Sequence, residues 1–322
     1  MDRAKLIDTL ASAQSSPKRP ILTLMNGDTT WLVSVPRPAG TKGKAFYHIL
    51  VDPWLEGHAE VGFGWVVRLQ LKEKAALDSI EAIEDWIREI ETVCGTTDGE
   101  HEQWLDAVLV THANLDHLHK PTLRTLSKSA QVLAVQEAAT MISSMDHFEN
   151  IIAVPDFVPG EEWPATPDMP GSLSIFRLQS KGDKYTNLCH AVIIGIPTED
   201  GKSEAILYTP HGVEPEAVEA VRKANSDASF LAMLHPLNKA GTMGFISRGV
   251  AEGLRIEREN SVRHWVNTHD DNISFSGVLS YIMRYGRATL EQGLKQEARE
   301  KVEEQRRPDY IVVENGGSHI LT

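Results

Sequence analysis

Cysteine is scarce in this chain. Only Cys94 and Cys189 occur among 322 residues, far apart and in no CxxC pair. Two such thiols read as buried, reduced side chains, which points to a cytoplasmic protein. Long apolar runs are missing too: none approaches the ~18 residues that cross a bilayer. Met1–Asp8 carries acid early and has no apolar core, so no secretory signal is expected, and lipidation signals are absent. Positive charge falls short of negative, with 32 Lys plus Arg against 45 Asp plus Glu, a net charge of -13. That balance disfavours nonspecific nucleic-acid binding but still permits an anionic small molecule at a local positive site such as a metal. Internal repeats and low-complexity segments are also absent. The expected partner is a small-molecule substrate, with no nucleic acid and no membrane, and a homo-oligomer is compatible with the sequence.

What is present is an alternation of short apolar strands and helices. Residues 1–20 read as an extension, a short helix followed by Ser15-Ser16-Pro17-Lys18-Arg19-Pro20. Residues 21–322 read as one domain. Strands are expected at 21–25, 30–35 and 46–51, with the Asn26-Gly27-Asp28 turn between the first two. Ile80, Ile83, Ile87 and Ile90 mark a helix. The centre alternates: strands at 107–110, 131–135 and 151–154, with helices after Pro121 and over 137–148. Three β runs follow at 173–178, 191–196 and 205–208. Helices are then expected over 214–224 and 246–257, around strands at 230–234 and 262–267. A long helix is expected from Val278 to Arg306, its outer face pairing Glu297 with Lys301, and a final strand at 310–313. Strands first, then mixed βα units, then strands and helices again suit two face-to-face sheets with helices outside, an α/β class.

Chemistry concentrates at strand ends. His112, Asp116, His117 and His119 fall within eight residues directly after the apolar strand 107–110. Imidazole nitrogens with a carboxylate are the usual ligands of zinc and similar metals. A helix start with exposed histidines would give the same local pattern. Other strands also stop at polar, ligand-type residues: Asp52-Pro53-Trp54, Thr209-Pro210-His211-Gly212, His235, and Thr268-His269-Asp270-Asp271. Their recurrence suggests sheet edges converging on one site. His235 reads better as a structural histidine, and His48, His58, His101, His147, His264 and His319 show no supporting context.

Here the chain resembles the metallo-β-lactamase superfamily. Ile49-Leu50-Val51-Asp52-Pro53-Trp54-Leu55 is similar to its early aspartate motif, in the lactonase-like branch typified by L-ascorbate-6-phosphate lactonase. Val110-Thr111-His112-Ala113-Asn114-Leu115-Asp116-His117 is similar to its HxHxDH signature. Ile206–Gly212 falls where the family has a metal-bridging Asp, and Asn267-Thr268-His269 where it has its last His. The motifs stand in family order over residues 21–275. The resemblance implies an αββα sandwich of two mixed sheets, with His112, Asp116, His117, His211 and His269 as metal ligands. It also implies catalytic roles for Asp116, His112 and His211, and Asp52 orienting the ligands from behind.

The departures from the family are specific. Asn114 replaces the second His of the signature, and His211 replaces the bridging Asp. No His follows the strand 173–178, where the sequence reads Gln179-Ser180-Lys181-Gly182, and His190 belongs with the next strand. One site is therefore expected to be eroded and the other kept, leaving one divalent ion, zinc first, with Mn or Fe as alternatives. The expected reaction is hydrolysis of a small ester, lactone, thioester or phosphodiester by metal-activated water. A non-hydrolytic lyase or isomerase and an inactive binding protein remain open on the same fold. The loops Gly62-Phe63-Gly64-Trp65 and Pro159–Pro164 read as ordinary loop packing before they read as pocket walls.

Overall fold

Alternate residues of the strand Ala191–Pro197 belong to different cores. Val192, Ile194 and Ile196 join the cluster that also holds Ile49, Leu109 and Val132, whereas Ala191 and Ile193 join Val218, Leu254 and Trp265. This two-residue period is what a strand shows when one face meets another sheet and the other meets helices. The computed structural model describes all residues except 14–17, 39, 62–63, 97–102, 171–172, 181–186, 243–246, 271 and 303–305. Lys181, Gly182, His101, Gly62, Phe63 and Asp271, and the first residue of the helix expected at 246, lie outside the described residues.

Two main sheets carry the fold. The first has seven strands in the order Ser318–Ile320, Ile21–Leu24, Trp31–Pro36, Phe46–Val51, Ala107–Val110, Gln131–Ala134 and Asn150–Ala153. It is antiparallel up to Phe46–Val51 and parallel from there on. The second has six strands in the order Tyr310–Ile311, His264–Val266, Ala228–Leu234, Ser203–Tyr208, Ala191–Pro197 and Ser174–Leu178. A bulge sits where the register passes from Ala205 opposite Phe230 to Ile206 opposite Ala232. It places Leu231 and Ala232 together on the inter-sheet side.

Helices cover the outer faces. Ile80–Val93, capped by the Ser79 side chain, turns Ile83, Trp86, Ile87 and Ile90 inward, each worth roughly 2 kcal/mol of burial. Pro215–Ala224, Val250–Asn260 and Leu290–Glu300 cover the second sheet. The architecture is the expected αββα sandwich. Two small sheets are added: His58–Val61, Val67–Leu71 and Ile273–Ser276 form one, and Lys239–Thr242 with Met283–Gly286 the other.

Three expectations are corrected. The long helix from Val278 to Arg306 is not formed. A 3-10 turn at Val278–Ile282 and the strand Met283–Gly286 precede a helix limited to Leu290–Glu300. Thr289 and Gln292 build a capping box that starts the helix there, and Lys301 ends it in a left-handed conformation at φ 56°. Glu297 is buried against Arg258 and does not pair across the outer face with Lys301. At the chain's start, the helix Arg3–Ser12 is part of the domain: Leu6 lies in the main core and the terminal ammonium donates to Ser318 O at 2.6 Å.

Candidate metal centre

Parallel pairing brings the carboxyl ends of several strands to one edge of the sandwich. Val51 lies opposite Leu109, Tyr208 opposite Leu234, and Leu234 opposite Val266. The residues that follow these ends are Asp52, His112, His211 and His269. Asp52 and His269 adopt left-handed backbone conformations, φ 46° and 57°, which non-glycine residues rarely take. Each turns the chain sharply as its strand ends. Gly212 follows His211 at φ 82°, and a Cβ there would fall 2.5 Å from Arg248 Cβ, so this turn requires glycine.

The five expected ligands are brought together. The rings of His117 and His211 lie 5.0 Å apart, His211 and His269 4.9 Å, His117 and His269 5.4 Å, and His112 and His117 4.6 Å. Ligand atoms of His117, His211 and His269 all lie within 4.8 Å of one another. His117 Nε2 and His211 Nε2 are 3.0 Å apart. Asp116 adds a carboxylate oxygen 3.5 Å from His269 Nε2.

What lies behind each ring decides which nitrogen faces the centre. His117 donates Nδ1–H to Asp52 at 2.7 Å, and both residues are fully buried. Asp52 also accepts from the Thr111 amide at 2.7 Å and hydroxyl at 2.6 Å. His269 donates Nδ1–H to Asp28 at 2.9 Å. Both rings are thus held with Nε2 forward, the arrangement by which carboxylates orient metal-ligating histidines. Asp52 is where the sequence places it. In the sequence Asp28 stands only as part of a turn; its side chain reaches His269 where Gly27, at φ 72°, bends the chain and a Cβ would meet Asn272 at 2.7 Å. No local pattern announces that pairing across 241 positions.

His112 is placed differently. Its Nε2 donates to Leu188 O at 3.0 Å, and its Nδ1 sits 2.8 Å from the Thr111 hydroxyl. His190, immediately before its strand, stacks on it at 3.9 Å and donates Nε2–H to Thr111 O at 2.8 Å. Both nitrogens of His112 are therefore engaged by protein oxygens.

The electrostatics follow burial. Desolvation, reinforced by neighbouring imidazoles, holds His112 and His211 well below the ordinary 6.5. Burial also lowers His190 to about 4. For His269 burial pulls the same way, but the Asp28 and Asp116 carboxylates outweigh it and raise the value to about 9. Two carboxylates beside an imidazole favour its protonated form.

The other histidines serve elsewhere. His48 bridges Ser34 and Glu91, His119 caps its helix at Thr122, and His147 donates to Leu126 O. His58 pairs with Glu60 and His264 with Asp309, while His319 contacts the His264 ring. His235 is buried and donates Nδ1–H to Pro236 O at 2.7 Å. Trp163 packs on Phe176 and donates to Val221 O, away from the centre.

The donor set fits a divalent ion. Nε2 atoms bound to one tetrahedral zinc lie about 3.3 Å apart, given bonds of about 2.0–2.1 Å. The 3.0 Å between His117 and His211 needs only a small opening to match. Three imidazoles and a carboxylate are a borderline-metal set.

Known structures confirm the class of fold. The chain is similar to a possible metal-dependent hydrolase from Veillonella parvula DSM 2008, with 13% identity and TM-score 0.56 over 95% of this chain and 100% of that one. It is similar to isothiocyanate hydrolase from Delia radicum gut bacteria, with 14% identity and TM-score 0.58 over 94% and 99%. It is also similar to Igni18, a novel metallo hydrolase from the hyperthermophilic archaeon Ignicoccus hospitalis KIN4/I, with 15% identity and TM-score 0.52 over 94% and 98%. No protein-family model and no curated protein matches the chain. At these identities the likeness is one of architecture: the chain has the metallo-β-lactamase fold.

Proposed function

We propose that this chain is a metal-dependent hydrolase of a small organic molecule, holding one divalent ion between His117, His211, His269 and Asp116. The observation that carries this is the convergence of three imidazoles, two of them fixed from behind by buried carboxylates. The solved structures of like fold include proteins named as hydrolases, which supports the same reading. When bound, such an ion supplies Lewis-acid polarisation of a substrate carbonyl and a nucleophile from water near neutral pH. Zinc is our first choice, with Mn or Fe as alternatives, and we read the motifs as lactonase-like. We place the protein in the cytoplasm because its two cysteines form no disulfide; among the described residues no helix is long and apolar enough to cross a membrane.

The chain's own residues divide the work. Asp52 and Asp28 keep Nδ1–H of His117 and His269 pointed away from the centre, leaving Nε2 to bind. Asp116 lines the cleft beside His269 and is placed to orient a water and accept its proton. His211 is held neutral by burial and offers a lone pair where the family has a bridging carboxylate. We read His112 as a wall of the centre, since Leu188 O occupies its Nε2.

The test is elemental analysis of protein purified without chelator, together with turnover in ¹⁸O-labelled water. We expect about one equivalent of metal and one labelled oxygen per product. Two tightly held equivalents would defeat the single-ion assignment, and product without solvent oxygen would defeat hydrolysis.

A further inference from the structure

The cleft above the imidazoles has two unlike sides. His211, His269 and Asp116 lie on one, and the small added sheets form the other, around a space of about 320 Å³. The strand Ile273–Ser276 alternates, with Ser274 and Ser276 exposed while Ile273 and Phe275 face inward. Its partner strand sets Leu69 directly opposite Phe275. Met283 and Tyr285, from the other small sheet, continue the wall, with the Tyr285 ring 5.6 Å from Phe275. Leu69 and Ile273 are buried with Trp54 and Ala59, so their positions are fixed by packing. Phe275 and Met283 are only half-buried and Tyr285 is exposed, so part of this apolar wall faces the open cleft.

Two polar groups of the lining accept from main-chain amides. Ser247 accepts from the Ala240 amide at 2.5 Å, and Asn238 accepts from the Ala288 amide at 2.9 Å. Lys239 is the one Lys or Arg among the described lining residues, which also include the carboxylates of Asp28 and Asp116. Phosphoryl groups are ordinarily held by several charged or backbone donors acting together. This wall offers apolar contact instead.

We propose that the substrate presents an uncharged apolar body, aryl or alkyl, to Leu69, Ile273, Phe275 and Met283, while its reacting acyl-type carbon sits over His211 and His269. The inference rests on the hydrolase reading above and narrows its substrate to neutral carboxylic-type derivatives, leaving phosphodiesters out. The size agrees: a cavity of ~150 Å³ accommodates benzene, so 320 Å³ holds a ring with a short chain. Each buried methylene strengthens binding about fourfold, so the wall makes itself felt as a slope against chain length.

The experiment uses the metal-loaded protein with 4-nitrophenyl acetate, butyrate and hexanoate, and with bis(4-nitrophenyl) phosphate, which shares their leaving group. We expect kcat/KM to climb about fourfold per methylene, and the phosphate to be turned over at least ~100-fold less well than the hexanoate. Phe275→Ala should flatten the slope, losing more on the hexanoate than on the acetate. A flat wild-type series, or a preference for the phosphate, overturns the inference and leaves the hydrolase reading standing. If protein carrying its metal turns over none of these probes, the hydrolase reading suffers, and metal-free binding decides the inference. N-(4-nitrophenyl)hexanamide is titrated into metal-free protein for that purpose. Saturable binding that weakens about tenfold in Phe275→Ala supports the apolar wall, and no binding overturns it.

Discussion

Two groups of histidines lie side by side in this protein and are built to opposite ends. His117 and His269 have carboxylates on Nδ1, and their Nε2 atoms face His211 and Asp116 respectively. His112 and His190 have main-chain carbonyls on Nε2, from Leu188 and Thr111, and stack on one another. The same side chain thus turns Nε2 towards another imidazole or a carboxylate in one place and towards a main-chain carbonyl in the other. The difference lies in what its second nitrogen meets. A carboxylate behind the ring raises its basicity and aims it forward; a carbonyl in front takes the position a metal would need.

The comparison is broken most directly by removing the poised ligands. His117→Ala and His269→Ala should each lose the metal and reduce turnover by at least ~10³-fold, because too few donors remain. Metal content and turnover on the purified variants, with circular dichroism to confirm folding, check this. Wild-type metal in either variant would show that the wrong group had been called open.

Asp28→Asn and Asp52→Asn leave the ligands in place and remove the carboxylates behind them. Metal affinity should fall by about 10–100-fold in each. Competition with a chromogenic chelator measures it. Asp52→Asn should also lower the melting temperature, since Asp52 accepts from Thr111 twice as well as from His117; Asp28→Asn should lower it less.

His112→Ala probes the packed group. One ion should remain bound, while removal of a fully buried ring costs roughly 2–4 kcal/mol of stability. Denaturant titration beside metal analysis separates the two effects, and loss of the ion would mean that His112 is a ligand after all.

Acid should act on the two groups with opposite sign in metal-free protein. Burial lowers His190, His119 and His235 to about 4 from an ordinary 6.5. They stay neutral when folded but take up protons when unfolded, so their contribution is full above about pH 6.5 and drains away as pH falls towards 4. His269 is raised to about 9 and keeps its proton when folded. Its contribution is full below about pH 6.5 and is lost as pH rises through 9. The same proton competes with metal, so affinity should strengthen with pH up to that value. Melting temperatures and metal titrations between pH 4.5 and 9.5 test both signs.

Asn114→His should have the smallest effect. It adds a histidine to the Val110–His117 segment, but His112 remains engaged by Leu188, so the metal count should stay near one. A second equivalent would show that the packed group opens readily.

Much of this was legible in the chain. Strands at Phe46–Val51 and Ala107–Val110 stand where their apolar runs predict, and five ligand-type residues at strand ends do meet. The elements that were missed are short and weakly patterned. The strands Val67–Leu71, Lys239–Thr242, Ile273–Ser276 and Met283–Gly286 are among them, and they line the cleft. They are only four or five residues long, too short for a period to stand out, and the helix that Leu290 and Leu294 mark starts only at the Thr289 cap.

The sequence by itself determined the alternation of strands and helices and the chemical identity of the candidate ligands, because both follow from side-chain type at fixed local spacing. The tertiary structure decided which of those histidines face an open centre. Asp28 meets His269 across 241 positions and Leu188 meets His112 across 76. A hydrogen bond that orients or occupies a ring nitrogen depends on atoms a few ångströms away in space, and chain spacing places no such limit on where in the sequence they come from.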